Sequence, residues 1–78
     1  MPRLYFDVDT GGSSTHDTEG DELADREAAR QEALRALTEM AWTLSARTAG
    51  GEITIRVRDD AGRRIYWATL MLTERWTD

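Results

Sequence analysis

Hydrophobic and polar residues alternate from the third position of the chain. Leu4, Phe6 and Val8 fall on one phase, and Arg3, Tyr5 and Asp7 on the other. A period of two is the pattern of a half-buried strand. Pro2 stands at its start, where a missing N–H is tolerated. Asp9-Thr10-Gly11-Gly12-Ser13-Ser14 then reads as a turn, because glycine permits positive φ and Ser and Asp side chains bond nearby backbone. Thr15–Thr18 is expected to return as a short edge strand, and Glu19-Gly20-Asp21-Glu22 to form a second turn.

The period changes after Leu23. Ala28, Ala33, Leu34, Leu37, Met40, Ala41 and Leu44 recur at steps suited to one face of a helix. Asp25 is the expected N-cap, since its carboxylate can accept from the free N–H groups of the first turn. Glu27 complements the helix dipole there. Arg35 has Glu32 and Glu39 at helical pairing distances, each pair contributing roughly 0.2–0.5 kcal/mol. The helix is expected to end near Ala46–Ala49, with Gly50-Gly51 as its stop.

Alternation resumes with Ile53, Ile55 and Val57 against Thr54, Arg56 and Arg58. Asp59-Asp60-Ala61-Gly62 predicts a type I hairpin turn with glycine at the left-handed position. The following strand, Arg64–Leu72, is apolar in both phases: Tyr66, Ala68, Leu70 and Leu72 on one, Ile65, Trp67 and Met71 on the other. The assembly these elements predict is α+β, in the order β-β-α-β-β. It is a small antiparallel sheet of three to four strands with one long helix packed on one face. Residues 1–78 form a single domain, with 73–78 as a loose tail apart from a docked Trp76.

Composition narrows the function classes. A chain of 78 residues buries a thin core, for which dimerisation is one common remedy. It has no cysteine, which excludes disulfides, thiolate metal sites and cysteine nucleophiles. All ten basic residues are arginine, so no lysine can form a Schiff base. Fifteen acids against ten arginines give a net charge of −5, unfavourable for general nucleic-acid binding. The opening residues hold no long apolar run, and the expectation is a cytoplasmic protein with no membrane association.

Four clusters are candidates for chemistry. Asp17, Glu19, Asp21 and Glu22 are hard oxygen donors, but their spacing does not fit an EF-hand loop, and a solvated turn next to a helix start accounts for them. His16, with Asp17, Ser13 and Ser14, holds the residue types of a hydrolytic triad on a single turn, where the required geometry is rarely met. Arg56, Arg58, Arg63 and Arg64 gather on the terminal hairpin, where arginine forks suit phosphate or nucleic acid; Asp59 and Asp60 between them favour mutual neutralisation. Tyr5, Ile65, Trp67 and Met71, with Trp42 and Trp76 near by, form the fourth set. If the other phase of the last strand meets the helix, these side chains stand on an uncovered sheet face, as interaction surfaces do.

Three segments carry a family likeness. They are the opening Met1-Pro2-Arg3-Leu4-Tyr5-Phe6-Asp7-Val8, the block Asp17–Asp25 with Ala28-Ala29-Arg30 and Glu32-Ala33, and the hairpin Val57–Arg63. On these the chain resembles a bacterial domain-of-unknown-function family of short single-domain proteins. The family usually has an aromatic where Leu4 stands and proline where Ala24 stands. The resemblance implies a fold and carries over no substrate, cofactor or catalytic residue. The resulting expectation is a non-enzymatic protein without cofactor or metal. It associates with a second copy or a protein partner through its sheet face. The alternative is a nucleic-acid-binding, antitoxin-like regulator working through the arginine hairpin.

Overall fold

Strict alternation becomes strand in both places where it occurs. The computed structural model describes residues 2–47 and 50–78, and the side chains outside residues 43–50. Its elements are β1 (Arg3–Asp9), β2 (Ser14–Thr15), β3 (Asp21–Glu22), α1 (Arg26–Arg47), β4 (Gly50–Arg58) and β5 (Arg64–Thr73). All pairings are antiparallel, in the order β2-β1-β4-β5, and β3 also lies against β1. The class is α+β, with one helix on a sheet. The expected three to four strands become five because Asp21–Glu22, read as turn, pairs with Leu4 and Arg3. The edge strand expected at Thr15–Thr18 is shorter and earlier, with Ser14 and Thr15 opposite Asp9 and Val8.

β4 is the central strand and supplies the largest buried side chains, Ile53, Ile55 and Val57. Leu4 from β1 and Ala29, Ala33 and Leu37 from α1 complete the core. The helix stripe is therefore rotated from the expected one: Ala29 is buried, while Leu34 lies at the exposed margin. Alanine at two successive turns leaves no bulk between helix and sheet, so α1 lies close over β4 and β5. Asp25 caps the helix as expected, its Oδ1 accepting from the N–H of Ala28 at 2.9 Å. Gly50 and Gly51, the expected helix stop, instead open β4; the intervening residues 48–49 and the side chain of Leu44 lie outside the described residues.

The β4–β5 hairpin closes as the sequence predicts. The N–H of Gly62 donates to the carbonyl of Asp59 at 3.0 Å, and Gly62 has φ +83°. The Asp59 carboxylate accepts from the N–H groups of Arg63 at 2.9 Å and Ala61 at 3.0 Å. Above the turn the register slips once. Val57 faces Tyr66 but Arg58 faces Arg64, leaving Ile65 as the extra residue of a β-bulge.

Candidate functional site

The helix covers one face of the sheet and leaves the other open. On that open face β1 presents Tyr5, Asp7 and Asp9, β4 presents Glu52, Thr54, Arg56 and Arg58, and β5 presents Trp67, Thr69 and Met71. This follows from the register, which sets Arg58 against Tyr5, Arg56 against Asp7 and Trp67, and Thr54 against Asp9 and Thr69. Tyr66, Ala68 and Leu70 pack against the core, as expected. Ile65 does not join Trp67 and Met71. The bulge takes it out of their phase, and it packs against the core beside the helix start.

The β1 side of this face is an ionic frame centred on Arg58. Its Nε donates to Asp7 Oδ2 at 2.9 Å and its Nη2 to Asp7 Oδ1 at 3.4 Å. It also donates to the carbonyl of Asp17, and its guanidinium lies 4.6 Å from the centre of the Tyr5 ring. His16 closes the group, with Nε2 2.9 Å from Arg58 Nη2 and Nδ1 3.5 Å from Asp7 Oδ1. This places the ring proton on Nδ1 when His16 is neutral, leaving Nε2 to accept from the guanidinium.

Asp17 joins the frame to the backbone. Its Oδ2 accepts from the N–H of Phe6 at 3.0 Å, and its Oδ1 from the N–H groups of Glu19 and Gly20, each at 3.1 Å. The N–H of Asp17 in turn donates to Asp7 at 2.9 Å. The carboxylate thus serves as acceptor for an edge-strand N–H between the two short strands, where the ladder would otherwise break. Burial pushes both carboxyls up. For Asp7, the hydrogen bonds from Arg58 and the Asp17 N–H, with the charges of Arg58 and His16, bring it below the usual carboxylate range. For Asp17 the same is done by the N–H groups of Phe6, Gly20 and Glu19 and the charge of Arg58.

Gly20 shows how tightly this loop is drawn. It has φ +70°, and a Cβ there would stand 2.9 Å from both the Leu4 carbonyl and the Tyr5 ring. Arg3 ties the loop from the other side, donating to the Glu19 carbonyl at 2.7 Å. The acidic turn is thus part of the scaffold, with the Asp17 oxygens aimed at N–H donors.

The other expected contact residues divide into paired and unpaired. Arg56 lies 3.7 Å from Asp9, and Arg63 donates to Asp59 at 3.2 Å. Among the described residues the side chain of Arg64 has no ion pair or hydrogen bond; it lines a shallow depression with Thr54, Arg56, Tyr66 and Trp67. On β5, Trp67 is 68% exposed and Met71 66% exposed. Trp42 stands on the outer side of the helix, and Trp76 is 93% exposed in the tail rather than docked. The Asp7–Asp17–Arg58 frame was missed from the sequence, where its only signal is an aspartate on the outward phase of β1 opposite an arginine-bearing strand.

A family model described as a domain of unknown function (DUF6894) matches residues 3–71. The chain belongs to this family. The DUF6894 match spans both the β1 frame and β5, so the whole open face lies within the family domain apart from the tail. No curated protein and no solved structure matches the chain.

Proposed function

We propose that this protein acts by binding another protein chain through the open sheet face, in the cytoplasm and without catalysis. The observation that carries the reading is the placement of Trp67 and Met71. Two large apolar side chains, on either side of Thr69, are exposed on one face of an outer strand of the sheet that also carries a fixed ionic frame. Aromatic and methionine side chains are enriched at interface cores. The frame beside them sets two aspartates against one arginine, so the Arg58 charge is already met and the frame orients a partner without calling for an anionic ligand. His16 supports the non-catalytic reading: it bonds Asp7 and Arg58, and its ring makes no hydrogen bond to Ser13 or Ser14 among the described residues.

The nucleic-acid alternative draws on one observation, Arg64, without a side-chain partner among the described residues, beside Arg56 and Trp67 in a shallow depression. Against it, Arg56, Arg58 and Arg63 each have a carboxylate partner. Sedimentation of the full chain tests the protein-binding reading. Trp67→Glu is expected to abolish association while leaving the circular dichroism spectrum unchanged. Association unaffected by Trp67→Glu, together with salt-sensitive RNA or DNA binding lost in Arg64→Glu, would favour the alternative.

A further inference from the structure

β5 has a second unsatisfied surface besides its outward side chains. It is the last strand of the sheet, ten residues long, and among the described residues no strand pairs with its outer side. Apart from the Ile65 carbonyl, which accepts from Arg26 Nη2 at 3.5 Å, such an edge presents a row of N–H and C=O groups that is a template for another strand. The ends of β5 carry opposite charges. Arg64 at its start and Glu74 just past its end both lack a side-chain partner among the described residues.

These features fit a second copy of the same strand. Two copies of β5 paired antiparallel about a two-fold axis must place residues of one face opposite residues of the same face. Only registers centred on a residue satisfy this. Centring on Thr69 pairs nearly the full length of the strand. It sets Trp67 beside the partner's Met71, Tyr66 beside the partner's Leu72 and Ala68 beside the partner's Leu70. It also brings Arg64 level with the partner's Glu74, twice by symmetry. Arg63 and the partner's Arg75 come level too, but Arg63 is already held by Asp59 at 3.2 Å. Moving the centre one residue, to Ala68 or Leu70, sets Arg64 against the partner's Leu72 or the partner's Trp76, and moving it two residues back to Trp67 sets it against the partner's Leu70. Moving it two forward to Met71 leaves about half the strand unpaired.

We infer that this protein forms a two-fold dimer by antiparallel pairing of β5 with the β5 of a second copy, centred on Thr69. The two sheets then join into one continuous sheet, with both helices on the same side. This rests on the protein-binding reading above and names its partner. Trp67 and Met71 become two clusters that cross the seam on the open face.

A chain without cysteine gives a direct test. Thr69→Cys and Thr54→Cys are made separately in the full-length protein, and both residues lie on the open face, bonded to each other at 2.8 Å. Strands lie roughly 4.8 Å apart, so the two copies of position 69 are about 5 Å apart and those of position 54 about 14 Å. A bismaleimide spanning about 8 Å is expected to join Thr69→Cys into covalent dimers at least ten-fold faster than Thr54→Cys. Sedimentation equilibrium supplies the second arm. Arg64→Glu and Glu74→Arg are each expected to weaken dimerisation about ten-fold, and the double reversal to restore it. A monomer at high micromolar concentration, equal cross-linking at the two positions, or no rescue in the double variant would overturn the edge dimer. A dimer that fails these tests but dissociates in Trp67→Glu would leave the open-face reading intact. A dimer indifferent to all of them would remove both.

Discussion

Asp17 does what a strand residue's carbonyl ordinarily does, and it does so through its side chain. Removing that carboxylate leaves the N–H groups of Phe6, Glu19 and Gly20 without their acceptor. Asp17→Ala is expected to cost roughly 1–3 kcal/mol, read from urea denaturation followed by circular dichroism. Gly20→Ala is expected to destabilise by a similar amount, about 1–3 kcal/mol, because it combines a left-handed backbone with a Cβ driven into the Leu4 carbonyl. The acids also set a pH dependence. The fold holds Asp7 and Asp17 ionised and their carboxyls below the ordinary range. Their contribution is therefore complete above the unfolded value of about 3.9, and is lost as pH falls through the lower folded values. Urea midpoints measured from pH 7 to pH 2 should show this acid limb. Asp7→Asn combined with Asp17→Asn should flatten it while lowering stability at neutral pH.

Among the elements, the helix depends on what it lacks. Ala29 and Ala33 are fully buried against the central strand, so the distance between helix and sheet is set by methyl groups. Ala33→Leu is expected to force α1 off β4 and β5 and cost about 1–3 kcal/mol by overpacking, seen as a lowered melting temperature. Here the local pattern and the packed helix face also differ. β1, β4 and the hairpin turn were legible because strict alternation and a D-x-x-G turn are local signals. Asp25 was legible as a cap for the same reason. The helix stripe was not, because a run rich in alanine gives little apolar contrast, and Leu34 draws the eye from Ala29. β3 was not legible because two acidic residues acquire strand geometry only by pairing with β1, seventeen or more residues away. The bulge at Ile65 was not, because β5 is apolar in both phases and a slip of one residue leaves no trace in its composition. Part of the open face is thus readable from the sequence: Tyr5, Trp67 and Met71 lie on it as their strand phase predicts. Arg58 reads from the sequence as a phosphate contact, but its partners Asp7, His16 and Asp17 are brought to it by topology.

The whole molecule is a slab 52 Å long and only 16 Å thick. Among the described residues one helix over a sheet gives two layers and no third, which leaves the other face of the sheet open. No helix among the described residues is long and apolar enough to cross a membrane. In the edge dimer the ion pairs at the seam are exposed and occur twice. At roughly 0.2–1 kcal/mol each, they contribute at most about 2 kcal/mol. Raising salt from low to high ionic strength should therefore weaken dimerisation by no more than about thirty-fold, since the backbone ladder and the tryptophan contacts are not screened. Sedimentation across a salt series measures this directly; a collapse of several orders of magnitude would point to a mainly ionic interface.

The far edge of the sheet decides how far such assembly can go. β1 is closed along its outer side by two strands of two residues each, with the Asp17 carboxylate filling the gap between them. A sheet with two open edges has a valency of two and can add copies without limit. Closing β1 reduces the valency to one, so growth stops at a pair. Removing the Asp17 carboxylate would then do more than soften the fold. It would free a donor on the closed side, and light scattering of Asp17→Ala should show species beyond the dimer.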